Sequence, residues 1–142
     1  MRKTSTVLAM GLVALFSLTS TLYAQDIPEL VTKKATEYKI PVAFAQALIR
    51  TESNYKPHVR GKRGEYGLGQ INCGTAKKIG LKDSCDRLLD PATNLDYSFK
   101  YLRMALDKSK GDLCGAAMLY STSVDRTPTT SAYCRLVLKR MS

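Results

Sequence analysis

One glutamate, Glu52, falls on the apolar face of a predicted helix, where an apolar residue would ordinarily be buried. The spacing predicts a helix from about Pro41, and Glu52 falls four positions after Leu48 on its apolar face. A carboxyl group there loses hydration, which raises its pKa because burial disfavours the charged form. Such an acid can donate a proton near neutral pH, as glycosidases require at the leaving oxygen. The simpler alternative is a glutamate at a helix end that reaches solvent.

Two further candidates for acid–base chemistry, His58 and Glu65, lie in the polar, glycine-containing stretch 53–66, which is predicted to be a long surface loop. Glu65 is either a solvated loop residue, the favoured interpretation, or a second carboxylate that activates water. His58 is the one histidine of the chain, and no cysteine stands near it in sequence. The ligand pattern of a zinc site is therefore missing, and no metal is expected.

The chain has four cysteines, Cys73, Cys85, Cys114 and Cys134. An even number in an exported protein favours disulfides, and four cysteines allow three pairings. No CxxC spacing supports the zinc alternative. Cys73 and Cys85 flank one short predicted helical segment, whereas Cys114 and Cys134 lie on the last two predicted helices. Local pairing, Cys73 with Cys85 and Cys114 with Cys134, is therefore expected.

The elements that must position these residues are almost all helical. Caps, first-turn prolines and apolar stripes predict helices that begin near Asp26, Pro41, Thr75, Asp90, Asp112 and Tyr133. Alternating strand patterns are nearly absent. With 142 residues, no repeat and no linker, the chain predicts one mainly α domain with little strand.

The N-terminus has the pattern of a secretory signal peptide. Arg2 and Lys3 precede an apolar run, 7–18, that is shorter than a membrane span and is followed by small and polar residues. Cleavage after Ala24 is expected, so the domain would comprise residues 25–142. No cysteine precedes Cys73, which excludes a lipid-modified cysteine at the junction. We expect a periplasmic or secreted protein without a stable membrane anchor.

The net charge of +10 is large for this length and favours polyanionic partners. Nucleic acid is a poor fit, because the chain is expected to be exported and shows no aromatic-interleaved recognition motif. One basic run lies in the predicted loop and consists of Lys56, His58, Arg60, Lys62 and Arg63. It is either a solvated face or a surface that attracts an acidic cell-wall polymer.

Three blocks of the sequence resemble the soluble lytic transglycosylase family, whose SLT domain is lysozyme-like. They are Glu52-Ser53-Asn54-Tyr55, Gly67-Leu68-Gly69-Gln70-Ile71 and Ala117-Met118-Leu119-Tyr120. The blocks occur in the family's order, and the resemblance covers roughly residues 28–122. It implies a lysozyme-like α+β fold with a substrate cleft, and peptidoglycan glycan strands as substrate.

The resemblance also implies the chemistry. Glu52 would protonate the oxygen of the β-1,4 bond between MurNAc and GlcNAc. As a carboxylate it would then take the proton of the C6 hydroxyl, which gives a 1,6-anhydro product without water or any cofactor. Gln70 would hydrogen-bond substrate, and the hydroxyl of Tyr120 would orient Glu52. Ser53 and Tyr55 complete the substrate-binding set, Ser53 mainly structural and Tyr55 facing the substrate.

The sequence departs from the family pattern at two positions. Gly69 stands where methionine is usual, which is expected to remove an apolar wall and widen the cleft. Ser121 stands where asparagine usually follows the tyrosine. Two alternatives therefore stay open: a hydrolytic muramidase that uses Glu52 with Glu65, and a weakly active peptidoglycan-binding accessory of a secretion system. Secretion or pilus machinery is the partner that an enzyme opening the wall locally would serve.

Overall fold

A computed structural model describes residues 26–142. The predicted signal peptide and its cleavage point lie outside the described residues. The first two helices, α1 (Ile27–Glu37) and α2 (Val42–Ser53), begin where the caps and prolines predict. Asp26 accepts a hydrogen bond from the backbone N–H of Glu29 at 3.3 Å, which satisfies an otherwise unpaired donor of the first turn.

The end of α2 is a sharp turn. Asn54 and Tyr55 both adopt left-handed backbone conformations, with φ angles of 50° and 62°. A left-handed residue directly after the last turn ends a helix, because its backbone can no longer extend the hydrogen-bond ladder. Glu52 therefore lies in the last turn of α2, one residue before the end of the helix.

A small β-hairpin and two short helical segments follow. Strand β1 (Glu65–Tyr66) pairs antiparallel with β2 (Ile71–Asn72), with Tyr66 opposite Ile71. Helix α3 (Cys73–Lys78) follows at once, beginning slightly before the helix predicted at 75–79, and a 3₁₀ helix covers Cys85–Leu89. The prediction of little strand is confirmed. The 3₁₀ helix was not predicted.

Three longer helices complete the described chain: α4 (Pro91–Lys108), α5 (Leu113–Ser121) and α6 (Ala132–Lys139). Each has a side-chain cap at its N-terminus. Asp90 accepts from the backbone N–H of Thr93 at 2.9 Å, and Asp112 accepts from that of Gly115 at 2.8 Å. The mainly helical, single-domain prediction is confirmed.

The core forms around α4, which packs against α1, α5 and the 3₁₀ helix. Its largest fully buried side chains are Phe44, Phe99, Leu48, Ile49, Leu68, Leu88, Leu95, Leu102, Leu106, Leu119, Val31 and Val137. Within residues 26–142, no helix has the length and apolar character that crossing a bilayer requires.

Both predicted disulfides are present. Cys73–Cys85 joins α3 to the 3₁₀ helix, with Cα atoms 5.7 Å apart. Cys114–Cys134 joins α5 to α6, with Cα atoms 4.9 Å apart. Each bridge links elements that are neighbours in sequence, so local pairing is confirmed.

Candidate active site

A cleft of about 680 Å³ separates two parts of the molecule. We call one side the helical wall, and it is lined by Glu52, Tyr101, Tyr120, Ser121, Thr122 and Tyr133. We call the other side the hairpin wall, and it is lined by Gly61, Lys62, Arg63, Glu65, Gln70, Ile71, Asn72 and Thr75. The cleft is therefore polar, with one carboxyl group on each wall.

Glu52 is the carboxyl group of the helical wall. The hydroxyl of Tyr133 donates a hydrogen bond to its Oε1. Desolvation raises the pKa of Glu52, and the negative charge of Glu65 raises it further, while the hydrogen bond from Tyr133 opposes both. Glu52 consequently keeps its proton to a higher pH than an ordinary glutamate, as a general acid requires.

Tyr133 is the residue that the sequence interpretation missed. The sequence pattern predicts only that a helix begins near it. The residue lies in the first turn of α6 beside the disulfide-bonded Cys134. Burial raises the pKa of the Tyr133 phenol, and the charge of Glu52 adds to this, so its hydroxyl stays protonated and able to donate. The expected Cys114–Cys134 pairing was the available signal, because it brings Tyr133 towards the helix that carries Tyr120.

Tyr120 does not make the contact expected of it. Its hydroxyl donates to the backbone carbonyl of Gly69 at 2.6 Å, while Tyr133 supplies the hydrogen bond to Glu52. The prediction that Tyr120 orients Glu52 directly is therefore wrong. Tyr120 is buried on the helical wall, and its hydrogen bond holds the second sequence block, residues 67–71, against α5.

Gly69 does not widen the cleft. The residue is buried, and a Cβ atom there would lie 2.6 Å from the Cβ of Ser98 and 2.8 Å from the hydroxyl oxygen of Tyr120. Such distances are far below ordinary van der Waals contact. The space that a larger side chain would need is taken by α4 and α5, so the glycine permits closer packing.

Gln70 lies on the hairpin wall in a left-handed conformation, with a φ angle of 47°. Its Nε2 donates to the carbonyls of Gly67 at 2.9 Å and Val59 at 3.1 Å. The two hydrogen bonds thereby join the connection between β1 and β2 to the loop that precedes the hairpin. A hydrogen bond from substrate to this side chain stays a prediction, with the Oε1 atom as the remaining acceptor.

Glu65 is the carboxyl group of the hairpin wall. Its Oε2 accepts from the backbone N–H of Arg63 at 2.9 Å, and its Oε1 accepts from Arg63 Nε at 3.2 Å. Desolvation alone would raise the pKa of Glu65, but the hydrogen bonds and positive charge of Arg63 outweigh it and lower the pKa. Glu65 is therefore a fixed carboxylate.

Two predicted site residues lie away from the cleft lining. Ser53 is buried, and its hydroxyl donates to the carbonyl of Ile49 at 3.3 Å. The hydroxyl of Tyr55 donates to Gln46 Oε1 at 2.8 Å, which holds the turn after α2 against the helix. The structure thus brings Glu52, Glu65, Gln70 and Tyr120 together, but not Ser53 and Tyr55. Within residues 26–142, no group of three or more histidine, cysteine or acidic side chains is arranged to hold a metal ion.

The sequence matches known proteins over most of the described chain. The family model described as Transglycosylase SLT domain matches residues 29–131. The soluble lytic murein transglycosylase of Escherichia coli strain K12 is 31% identical over 97 residues, which are 64% of this chain and 15% of that protein. The Salmonella typhimurium protein of the same name is 29% identical over 107 residues, 71% of this chain and 17% of that protein. The chain therefore spans a small fraction of these relatives.

Solved structures show the same fold. The 70-kDa soluble lytic transglycosylase of Escherichia coli superposes with a TM-score of 0.63 at 27% identity, covering 80% of this chain and 18% of that one. An inactive glutamate-to-glutamine mutant of the lytic transglycosylase Slt from Pseudomonas aeruginosa has a TM-score of 0.64 at 21% identity, covering 80% of this chain and 20% of that one. The second likeness bears on the fold alone.

Proposed function

The chain belongs to the transglycosylase SLT domain family, and we propose that it is a lytic transglycosylase that cleaves the β-1,4 bond between MurNAc and GlcNAc in peptidoglycan. The observation that carries the proposal is the desolvated carboxyl group of Glu52, which faces the cleft and accepts a hydrogen bond from Tyr133. The names of the relatives, soluble lytic murein transglycosylases, supply the reaction and polymer.

The first step is general acid catalysis by Glu52. Tyr133 donates to Oε1, so the acid carries its proton on Oε2. That proton passes to the glycosidic oxygen as the bond from MurNAc C1 breaks, and the GlcNAc side leaves as an alcohol. Positive charge then develops at C1 and the ring oxygen. The N-acetyl group of the MurNAc stabilises this centre, which removes the need for a carboxylate nucleophile.

The second step uses the same residue as a base. Glu52 is now a carboxylate, and the hydrogen bond from Tyr133 stabilises its charge. It takes the proton of the MurNAc C6 hydroxyl while that oxygen attacks C1, which forms the 1,6-anhydro ring and regenerates the acid. No water is consumed. Burial raises the pKa of Glu52, and the hydrogen bond from Tyr133 limits that increase. A pKa balanced in this way suits a group that must both give and accept a proton.

A hydrolytic muramidase is the second candidate. Glu65 lines the same cleft and stays ionised, as a base that activates water must. Both of its oxygens already accept hydrogen bonds from Arg63, however, which favours a fixed negative charge over proton transfer. The two candidates predict different products, a 1,6-anhydro end or a reducing end.

The test is digestion of purified peptidoglycan followed by mass spectrometry of the products. We expect the wild-type protein to release muropeptides with 1,6-anhydro ends. Glu52→Gln should lower the rate about 10³-fold, because the amide keeps the shape but cannot transfer the proton. Glu29→Gln is the matched control, since it makes the same change on the exposed surface of α1 and should leave the rate unaltered.

The folded state of the Glu52→Gln variant can be checked by its thermal stability. Because the folded pKa of Glu52 is raised, ionisation destabilises the wild-type protein as pH rises through the unfolded and folded pKa values. The variant should therefore melt at or above the wild-type temperature at neutral pH.

Unchanged activity in this variant would remove Glu52 from the mechanism. Reducing ends would favour hydrolysis, and a wild-type protein that binds peptidoglycan without cleaving it would be an accessory protein.

We also propose a periplasmic or secreted location. Peptidoglycan lies outside the cytoplasmic membrane, and the signal peptide expected at residues 1–24 supports export. Glycan strands are then the direct partner. Local opening of the wall for a secretion system or a pilus is the process that a small enzyme of this kind would serve.

A further inference from the structure

The two walls of the cleft differ in charge. Apart from Glu52, the helical wall presents uncharged hydroxyl groups from three tyrosines, a serine and a threonine. Both cations that line the described cleft, Lys62 and Arg63, are on the hairpin wall and are neighbours in sequence. Positive charge is thus concentrated at one edge of the site.

Glu65 does not neutralise this edge. It pairs with Arg63 through Nε, and the Arg63 side chain is still 89% exposed, which leaves its two Nη groups open to solvent. Lys62 is exposed and makes no salt bridge within residues 26–142. Among the described residues, the ammonium group of Lys62 and the Nη groups of Arg63 therefore have no carboxylate partner at this edge of the cleft.

The proposed substrate carries negative charge at one place on each disaccharide. The sugar hydroxyls and N-acetyl groups are neutral, whereas the lactyl group on C3 of MurNAc bears either its own carboxylate or a stem peptide that contains carboxylates. We propose that Lys62, supported by Arg63, binds a carboxylate carried on the C3 substituent of MurNAc. The hairpin wall would then distinguish strands that contain MurNAc from a neutral β-1,4 glycan of GlcNAc alone. This inference rests on the proposed function for its choice of ligand.

Because Lys62 is exposed, its contribution to substrate binding is expected to be modest and sensitive to salt. An exposed ion pair is weakened by water and by counterions, so its role is selection among ligands more than overall affinity. Lys62 is the better residue to test, because Arg63 also holds Glu65 and its removal would disturb the carboxylate of the hairpin wall.

The experiment measures binding by calorimetry in the Glu52→Gln background, so that turnover does not consume the ligands. Three ligands are compared: chitohexaose without carboxylates, peptide-free glycan strands with lactyl carboxylates, and strands that keep their stem peptides. Lys62→Gln should weaken binding of a carboxylate-bearing strand about fivefold and leave chitohexaose binding unchanged. Lys62→Arg should restore most of the loss, and Lys82→Gln, on an exposed residue outside the cleft lining, should have no effect.

The pattern of losses identifies the carboxylate. An effect on peptide-free strands alone points to the lactyl carboxylate, which becomes an amide where a stem peptide is attached. An effect on peptide-bearing strands alone points to a carboxylate of the stem peptide, and an effect on both means that Lys62 accepts either one. Equal weakening for chitohexaose, or no weakening for any strand, would overturn the proposal. Binding is measured without catalysis, so this test does not depend on the reaction. If the wild-type protein formed no 1,6-anhydro ends, the proposed reaction would be wrong but the proposed role of Lys62 would still stand.

Discussion

The two walls of the cleft carry the same chemical group in opposite electrostatic states. Glu52 on the helical wall has a raised pKa, and Glu65 on the hairpin wall has a lowered one. Both residues are glutamates, both are partly shielded from solvent, and both line one cleft. The difference shows that two carboxyl groups in one cleft can be held in different states by their depth of burial and by the donors around them.

The local structure explains the two environments. Glu52 projects from the last turn of a helix packed on the core, and one neutral hydroxyl reaches it. Glu65 is in a two-residue strand, where the turn before it brings a backbone N–H and a guanidinium group to the carboxylate. At Glu52 the one neutral donor does not offset strong desolvation, whereas at Glu65 a cation and backbone N–H donors outweigh a desolvation that is weaker.

The comparison predicts its largest effect for removal of a disulfide, because each wall of the cleft is held by one of the two bridges. Replacing Cys114 and Cys134 by alanine, or Cys73 and Cys85, should each lower the free energy of unfolding by about 3 kcal/mol on the chain-entropy model. The first pair anchors α6, which carries Tyr133, so its loss should also reduce kcat. Urea unfolding with parallel activity measurements checks both effects.

The second pair provides the internal control. It holds α3 and the 3₁₀ helix, whereas the hydrogen bond to Glu52 comes from α6. At a urea concentration where both variants stay folded, the variant lacking Cys73–Cys85 should retain more activity. Equal loss of activity would mean that α6 does not need its bridge to place Tyr133.

Replacing Tyr133 by phenylalanine should have an intermediate effect. The hydrogen bond from Tyr133 lowers the pKa of Glu52, so its loss leaves that pKa higher. The high-pH limb of the activity profile, where the acid loses its proton, should therefore move to higher pH. We also expect kcat to fall about tenfold, because the Glu52 carboxylate of the second step loses a donor.

Tyr120→Phe is the comparison variant for this prediction. Its hydroxyl binds the Gly69 carbonyl, so its removal should lower activity by loosening the hairpin without moving the pH limb. If the high-pH limb of the activity profile moved in Tyr120→Phe but not in Tyr133→Phe, Tyr120 would be the residue that orients Glu52, as the sequence predicts.

The smallest effect is expected for Glu65→Gln. The negative charge of Glu65 raises the pKa of Glu52, so its removal should move the high-pH limb to lower pH. Added salt should reduce this displacement by screening the charge. The rate at the optimum should change less than about threefold, as for other solvent-screened charge pairs. A loss of catalysis as large as that of Glu52→Gln, or a change of product, would make Glu65 a catalytic group.

Much of this protein follows from local sequence. The helix starts at Asp26, Asp90 and Asp112 were predictable, because a capping side chain binds backbone N–H groups two or three residues away. Pairing of the cysteines followed from the same helix boundaries, since each bridge closes a short segment. These features depend on neighbours along the chain. The apolar stripe of its own helix leads to Glu52, but its role as the acid came from the resemblance of the three sequence blocks to a known family.

Tertiary structure decided the contacts that local patterns cannot encode. Tyr133 reaches Glu52 across 81 positions of sequence, and Tyr120 reaches Gly69 across 51. Periodicity specifies which face of a helix is buried, but not which atom of another helix meets it. Gly69 likewise suggested an open cleft until the packing of Ser98 and Tyr120 around it was known. Burial and a long-range hydrogen bond set the state of Glu52, whereas the donors to Glu65 come from Arg63, only two positions before it. Local patterns could not specify the state of Glu52, because hydration and hydrogen bonding act through space rather than along the chain.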